Sequence, residues 1–260
     1  MLAGSVCTVK LISEWHADMS GRVSRVTTAH PYWWLFMLSG LSWAYLISAE
    51  LSSSAHSHHH MPTTSVAVFS ASLSAWLIMV TAMMLPMLSG SVSLVKLMMP
   101  RYQHLRLMPL LVFGYAVVWL IAGGMIEILR AFLLQIPFIH HELIAQFPVG
   151  SLSFLAAAVW SSTSSRRKAV FACSNGIPLR INGWHAYRDT IHFGLIKGLN
   201  CVKGCLHVML ALLIAGHDLW IMMIVTVVLI YERVLLPKET RLVSWMCCIL
   251  SVYFLVPWLK

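Results

Sequence analysis

Cys201, Cys205 and Met209 follow one another at intervals of four residues. On an α-helix that interval stacks side chains on one face, one turn above the next. Three sulfur atoms in such a column form a soft-ligand set, and thiolates and thioethers select Cu(I) over hard ions such as Mg²⁺ or Ca²⁺. Lys197 precedes Cys201 by one turn, while Asn200, Lys203 and His207 gather on a nearly opposite face. Lys203 is the expected electrostatic helper for deprotonating a thiol, as metal ligation requires. The plainer reading treats Cys as a small apolar residue and Met as a filler of core gaps. A Cys201–Cys205 disulfide is disfavoured, because neighbouring Cβ atoms one turn apart stand about 5–6 Å from each other.

A second column matches the first. Trp76, Met79, Met83 and Met87 recur at helical spacing, and Pro86 interrupts the same segment. Proline has no N–H, so it frees the carbonyl of Ala82 and kinks the helix there. The column reads as a thioether track toward the cysteines, or as flexible packing around the kink. A third feature is the tract His56, His58, His59, His60, Met61. Imidazole suits copper, zinc and nickel, so the tract reads as a surface capture loop or as a merely solvated one. His140, His141, Glu142, His217 and Asp218 are expected on that same side, as further capture groups or as helix caps. Glu127 and Arg130, three apart, are expected to pair, and Glu232 with Arg233 has the same reading. Cys173 lies near Arg166, Arg167 and Lys168, a basic cluster suited to anionic lipid, and reads as an inert thiol. No P-loop, dinucleotide fingerprint, Ser-His-Asp order or haem-attachment motif is present. The motifs do not identify an enzyme.

The elements that must position these residues follow from composition. Of 260 residues 59% are hydrophobic and 10% charged, with a mean hydropathy of +0.78. A soluble domain carries roughly 25% charged residues. Only helices or closed barrels satisfy their backbone polar groups in lipid, and the long apolar runs here are helical rather than alternating. The fold class expected is all-α, a polytopic transmembrane helical bundle. Seven segments of about span length run approximately over 31–49, 66–89, 107–129, 148–165, 191–215, 217–236 and 242–258, with six to eight spans as the bounds. In a bilayer Lys203, Asn200, Glu127 and Glu232 become functional candidates, because an ionisable group at membrane depth costs roughly 2.5–3.5 kcal/mol on insertion scales.

Charge supplies the orientation. Lys10, Arg22, Arg25, Lys96, Arg101, Arg106, Arg166, Arg167, Lys168, Arg180, Arg188, Arg233, Lys238 and Arg241 fall on one side of the alternating loops. The positive-inside bias makes that side cytoplasmic. It places the N-terminus in the cytoplasm, the C-terminus outside, and the His-rich loop at 50–65 on the outer face. Residues 1–30 read as a cytoplasmic arm rather than a signal peptide, and 31–260 as one transmembrane helical domain. Topology therefore accounts for the net charge of +9, and no nucleic-acid partner is implied. Six cysteines do not form a disulfide framework.

The chain resembles a bacterial family described as predicted metal-binding integral membrane proteins of unknown function. The resemblance rests on Trp76-Leu-Ile-Met79-Val-Thr-Ala-Met83-Met84-Leu-Pro86 and on Phe113-Gly114-Tyr115 followed by Trp119. It rests also on Lys168 with Cys173, and on Gly198-Leu-Asn-Cys201-Val-Lys-Gly-Cys205 running to Met209, Gly216, Glu232 and Pro237. It covers about residues 66–240. The family pattern carries a Cys-x-x-Cys-Cys run in the fifth span; here Gly204 stands at the middle cysteine, and His207 follows two residues after Cys205. Members often have a Met/His-rich stretch ahead of the span-two motif, which His56 to Met61 resembles. The resemblance implies metal handling in a bacterial inner membrane. Taken with the soft residues, it points to Cu(I) held by Cys201, Cys205, Met209 and Met83, with Met79, Met87 or His207 assisting. The expected partners are the lipid bilayer, other membrane subunits and a copper chaperone. Two other classes stay open. One is a structural or assembly subunit of a membrane complex without its own metal. The other is a dithiol redox enzyme, which needs Cys173 or Cys247 to approach the pair.

Overall fold

The structure, a computed structural model, describes residues 32–55, 65–133, 148–174, 180, 183–216, 218–234 and 241–256. The N-terminal arm, the His56–Met61 tract, His140, His141, Glu142 and His217 lie outside the described residues. Nine α-helices appear among those described: α1 Trp33–Ala55, α2 Ser65–Met84, α3 Ser89–Met98, α4 Arg101–Leu133, α5 Val149–Ser162, α6 Ser164–Ser174, α7 Gly183–Ala215, α8 Leu219–Val234 and α9 Leu242–Leu255. No strand occurs among the described residues, and the fold is all-α.

Four segments are long and apolar enough to cross a membrane: Trp33–Ser52, Val68–Met98, Tyr102–Leu133 and Gly183–Ala215. They correspond to the first, second, third and fifth expected spans. The other three apolar runs also form helices, but shorter ones. α5 and α9 have 14 residues and α8 has 16. At about 1.5 Å per residue they reach roughly 21–24 Å, against about 30 Å of hydrocarbon. Local chemistry sets the length of α5. Thr163 is extended (ψ 150°) and splits the run 148–165 into α5 and α6. The described part of α8 ends at Val234, and α9 closes at Leu255 with Val256 still in helical geometry (φ -55°, ψ -43°).

The expected break at Pro86 is present. α2 stops at Met84, a 3₁₀ turn covers Leu85–Leu88, and α3 resumes at Ser89. The carbonyl of Ala82, freed by the proline, accepts hydrogen bonds from Ser39 Oγ (2.6 Å) and Trp43 Nε1 (3.1 Å) of α1. A buried orphan acceptor is costly, and α1 supplies both donors.

α7 runs through the middle, packed against α4, α5 and α6. It meets α4 backbone to backbone. A Cβ added at Gly194 would lie 2.3 Å from the Leu111 carbonyl oxygen, and one at Gly114 would lie 2.6 Å from that of Ile191. α5 and α9 form a second close pair. Ser251 Oγ donates to the Ser151 carbonyl (2.9 Å), and the Phe154 and Phe254 rings stack at 5.5 Å. The outward faces of α1, α4 and α9 are apolar, with Leu41, Met125 and Ile249 among the exposed residues. Apolar surface of this extent is rare on a water-soluble monomer.

Candidate metal centre

The sulfur face of α7 points inward: Cys201, Cys205 and Met209 are all buried. Lys197, one turn earlier, is buried as well. Its ammonium donates to the carbonyls of Ala172 (3.4 Å) and Cys173, at the end of α6. A cation on the last carbonyls of a helix is well placed against the helix dipole. Lys197 therefore ties α6 to α7.

Cys201 and Cys205 are free, buried thiols one helical turn apart on α7. Two groups from other helices converge on them. Tyr115 of α4 donates its hydroxyl to Cys201 Sγ at 3.1 Å and lies 3.5 Å from the Met84 carbonyl. Arg233 of α8 places Nη1 3.6 Å from Cys201 Sγ and Nη2 3.2 Å from Cys205 Sγ. One guanidinium thus spans both sulfurs. Gly204 makes room for it, since a Cβ there would lie 2.7 Å from Arg233 Nη2.

Glu232 does not pair with Arg233. It pairs with Arg166 of α6 at 2.9 Å, with both side chains fully buried. Its second oxygen accepts the Val243 N–H at 3.1 Å, at the start of α9. Consecutive residues on a helix point about 100° apart. Glu232 accordingly faces α6 and α9 while Arg233 faces α7. Arg166 also donates Nε to the Gly204 carbonyl at 3.2 Å. The Arg166–Glu232 pair therefore braces the same turn of α7 that Arg233 braces.

Beside the thiols is a cavity of about 20 Å³, lined by Met87, Leu88, Ser91, Tyr115, Cys173, Lys197, Cys201 and Arg233. A space that small admits one water-sized body. Met87 is thus the span-two methionine that shares a cavity with Cys201. Met83 is fully buried, and Met79 lies in a different cavity of about 440 Å³ with Trp76, Glu50, Glu127, Arg130 and Met222. Glu127 there accepts from Ser72 Oγ at 2.6 Å and pairs with Arg130 at 3.7 Å, as its spacing suggested. The polar face of α7 goes elsewhere. His207 bonds Ser161 of α5 at 2.8 Å, Asn200 is half-buried, and Lys203 is exposed. Lys203 is therefore not the cation beside the thiols: it projects from the other side of the helix, and Arg233 takes that place.

Three participants escape single-helix reasoning. Tyr115 in an apolar run reads as packing, Arg233 at a helix end reads as ordinary topology, and Cys173 reads as a lone thiol. Cys173 lines the thiol cavity and lies 3.9 Å from the Lys197 carbonyl. Burial pushes its thiol pKa up, against the pull of Arg233. Cys247 does not line the cavity. Among the described residues, no three His, Cys, Asp or Glu side chains gather to hold an ion together. The soft donors at the cavity wall are the Cys201 and Cys173 thiols and the Met87 thioether, and Cys205 is joined to Cys201 through the Arg233 guanidinium.

Comparison with known proteins gives one family. The model of the PpoB2 copper chaperone family matches residues 73–256, and the chain belongs to that family. The match includes Met79, Met83, Met87, Tyr115, Cys201, Cys205 and Arg233, and it begins after the His56–Met61 tract. No curated protein and no solved structure matches the chain.

Proposed function

We propose that this member of the copper chaperone family is an integral membrane protein of the bacterial inner membrane that receives Cu(I) on Cys201 and Cys205 and passes it to an acceptor protein. The observation that carries this reading is the arrangement of two buried thiols, one helical turn apart, sharing a single guanidinium beside a cavity of about 20 Å³. Cavity size agrees with this chemical class. A space for one water-sized body suits a bare ion better than an organic substrate. The site suits carriage of an ion rather than conversion of a molecule.

Charge supports the same reading. Burying an uncompensated charge is costly. One Cu(I), two thiolates and the Arg233 guanidinium sum to zero. Among the described residues Arg233 has no carboxylate partner, since its neighbour Glu232 is engaged by Arg166. Arg233 therefore serves as the counter-charge of a two-sulfur Cu(I) complex. The Tyr115 hydroxyl orients Cys201 by donating to its sulfur. Met87 offers a neutral soft ligand at the cavity wall, the first or last contact for an ion exchanging with the pair. The membrane setting rests on the four long apolar helices, the exposed apolar faces and the one-sided basic loops.

Anaerobic Cu(I) titration of the purified protein against a competing chelator tests the reading. The wild type should hold one tight equivalent that the Cys201→Ser/Cys205→Ser variant lacks. Equal tight binding by both proteins would remove the thiol site. A stable membrane complex that survives the double change would then favour a structural or assembly subunit.

A further inference from the structure

We infer that the larger cavity is a second, weaker soft-cation site built on Met79 and Met222, and that Cu(I) passes between it and the thiols along the methionines of α2. The binding part stands alone; the passage rests on the proposed thiol site.

The cavity gathers one end from each of five helices: Glu50 of α1, Ser72 of α2, Glu127 and Arg130 of α4, Leu213 of α7, and Leu219 at the start of α8. Its soft groups are thioethers from two helices. Met79 of α2 and Met222 of α8 are only 3% and 2% exposed, yet both line it. Thioether sulfur favours Cu(I) and gives little to Mg²⁺ or Ca²⁺. Trp76 lines the cavity beside Met79, and its ring is fixed. Its Nε1 donates to the Trp119 carbonyl at 3.1 Å, and Gly123 leaves space that a Cβ, 2.3 Å from the ring, would take. An indole held in this way adds a cation-attracting surface.

Met79, Met83 and Met87 connect the two cavities. Met79 lines the larger cavity and Met87 the smaller one. Met83 lies between them, one α-helical turn from Met79 and just ahead of the 3₁₀ turn that holds Met87, and is fully buried. The segment from Met79 to Met87, part α-helix and part 3₁₀ turn, spans about 12–14 Å at 1.5–2.0 Å per residue. Each hand-over exchanges one neutral thioether for another at Cu(I). No electron moves, no proton is released, and the ion's charge is unchanged until it meets the thiols.

Silver(I) is a redox-inert probe for such a site. In chloride-free buffer, the Cys201→Ser/Cys205→Ser protein should retain a silver equivalent whose X-ray absorption shows sulfur neighbours. Adding Met79→Leu and Met222→Leu should remove that equivalent. Leucine nearly conserves volume, and a helical circular dichroism spectrum with monodisperse elution verifies folding. The His56–His60 tract is intact in every variant, so the difference reads the thioethers alone. Unchanged silver retention in the four-fold variant would overturn the second site. For the passage, Met83→Leu in the otherwise wild-type protein should leave both equivalents in place and slow filling of the thiol site by at least tenfold. Filling at the wild-type rate would overturn the passage. Loss of the tight equivalent in the cysteine variant is scored separately, so failure of the thiol site is distinguishable from failure of either part.

Discussion

The cavity beside Cys201 and the cavity beside Met79 share four of the elements that line them, and they differ in almost everything else. The segment from α2 to its 3₁₀ turn contributes Met79 to one and Met87 to the other. α4 contributes Glu127 or Tyr115, α7 Leu213 or Cys201, and α8 Met222 or Arg233. One space measures about 440 Å³ and the other about 20 Å³. Near the large one the ion pair is half in solvent, with the Arg130 side chain 60% exposed. Near the small one the Arg166–Glu232 pair is fully buried. The donors differ as well: neutral thioethers where the space is large, a thiol beside a guanidinium where it is small. A roomy space with weak neutral ligands suits capture and exchange. A small space whose charges balance suits retention.

The largest expected effect tests the electrostatic half of that contrast. Arg166→Met leaves Glu232 buried without its cation and should destabilise the protein by about 3–5 kcal/mol. Arg130→Met breaks a half-exposed pair and should cost about 0–1 kcal/mol. Thermal melts in detergent compare the two, and equal costs would erase the distinction between the two ends. Next comes retention. Cys201→Ser/Cys205→Ser should weaken the tight Cu(I) equivalent at least 100-fold, about 2.7 kcal/mol, by competition titration. Met79→Leu with Met222→Leu should shift that affinity less than about threefold, under 0.7 kcal/mol.

A smaller contrast concerns the two glycines. Gly123→Ala drives a Cβ into the rigid Trp76 ring, whereas Gly204→Ala meets only the far end of Arg233. The first should cost about 1–3 kcal/mol of stability, as overpacking does. The second should leave the melting temperature nearly unchanged while lowering Cu(I) affinity, because the guanidinium must swing off the sulfurs. A reversed order would mean that Trp76 is not the fixed wall. The smallest effect belongs to Ser39→Ala. It removes one of two donors to the Ala82 carbonyl and should cost about 1 kcal/mol, with Trp43 still in place and both cavities unaltered.

What could be read from the sequence was what a single helix determines. The period of four put Cys201, Cys205 and Met209 on one buried face. The lack of an N–H at Pro86 foretold both the break after Met84 and the freed Ala82 carbonyl, and spacing alone paired Glu127 with Arg130. What was not legible depends on how helices meet. Tyr115 reaches Cys201 across 86 residues and Arg233 reaches it across 32. No local period encodes either distance. Lys203 looked like the helper cation because it is close in sequence, yet its side chain leaves from the other side of α7. Glu232 and Arg233 looked like partners because they are adjacent, which on a helix points them apart. Helix length also escaped: hydropathy marks an apolar run over 148–165, while the extended Thr163 ends α5 at Ser162.

The glycine contact between α4 and α7 has a consequence for how the protein is made. The ribosome produces α4 first, and α7 follows carrying Lys197, Asn200 and Lys203. In the proposed bilayer such a segment is a reluctant guest, because its polar groups disfavour contact with lipid. Small residues let two helix backbones touch, and close packing is what drives helices together where no water is present. Gly114 therefore gives the newcomer a seat already in place, and Gly194 is shaped to take it. Assembly then has a direction in time. In that proposed bilayer, the helix bearing the thiols is stable only after its host has arrived.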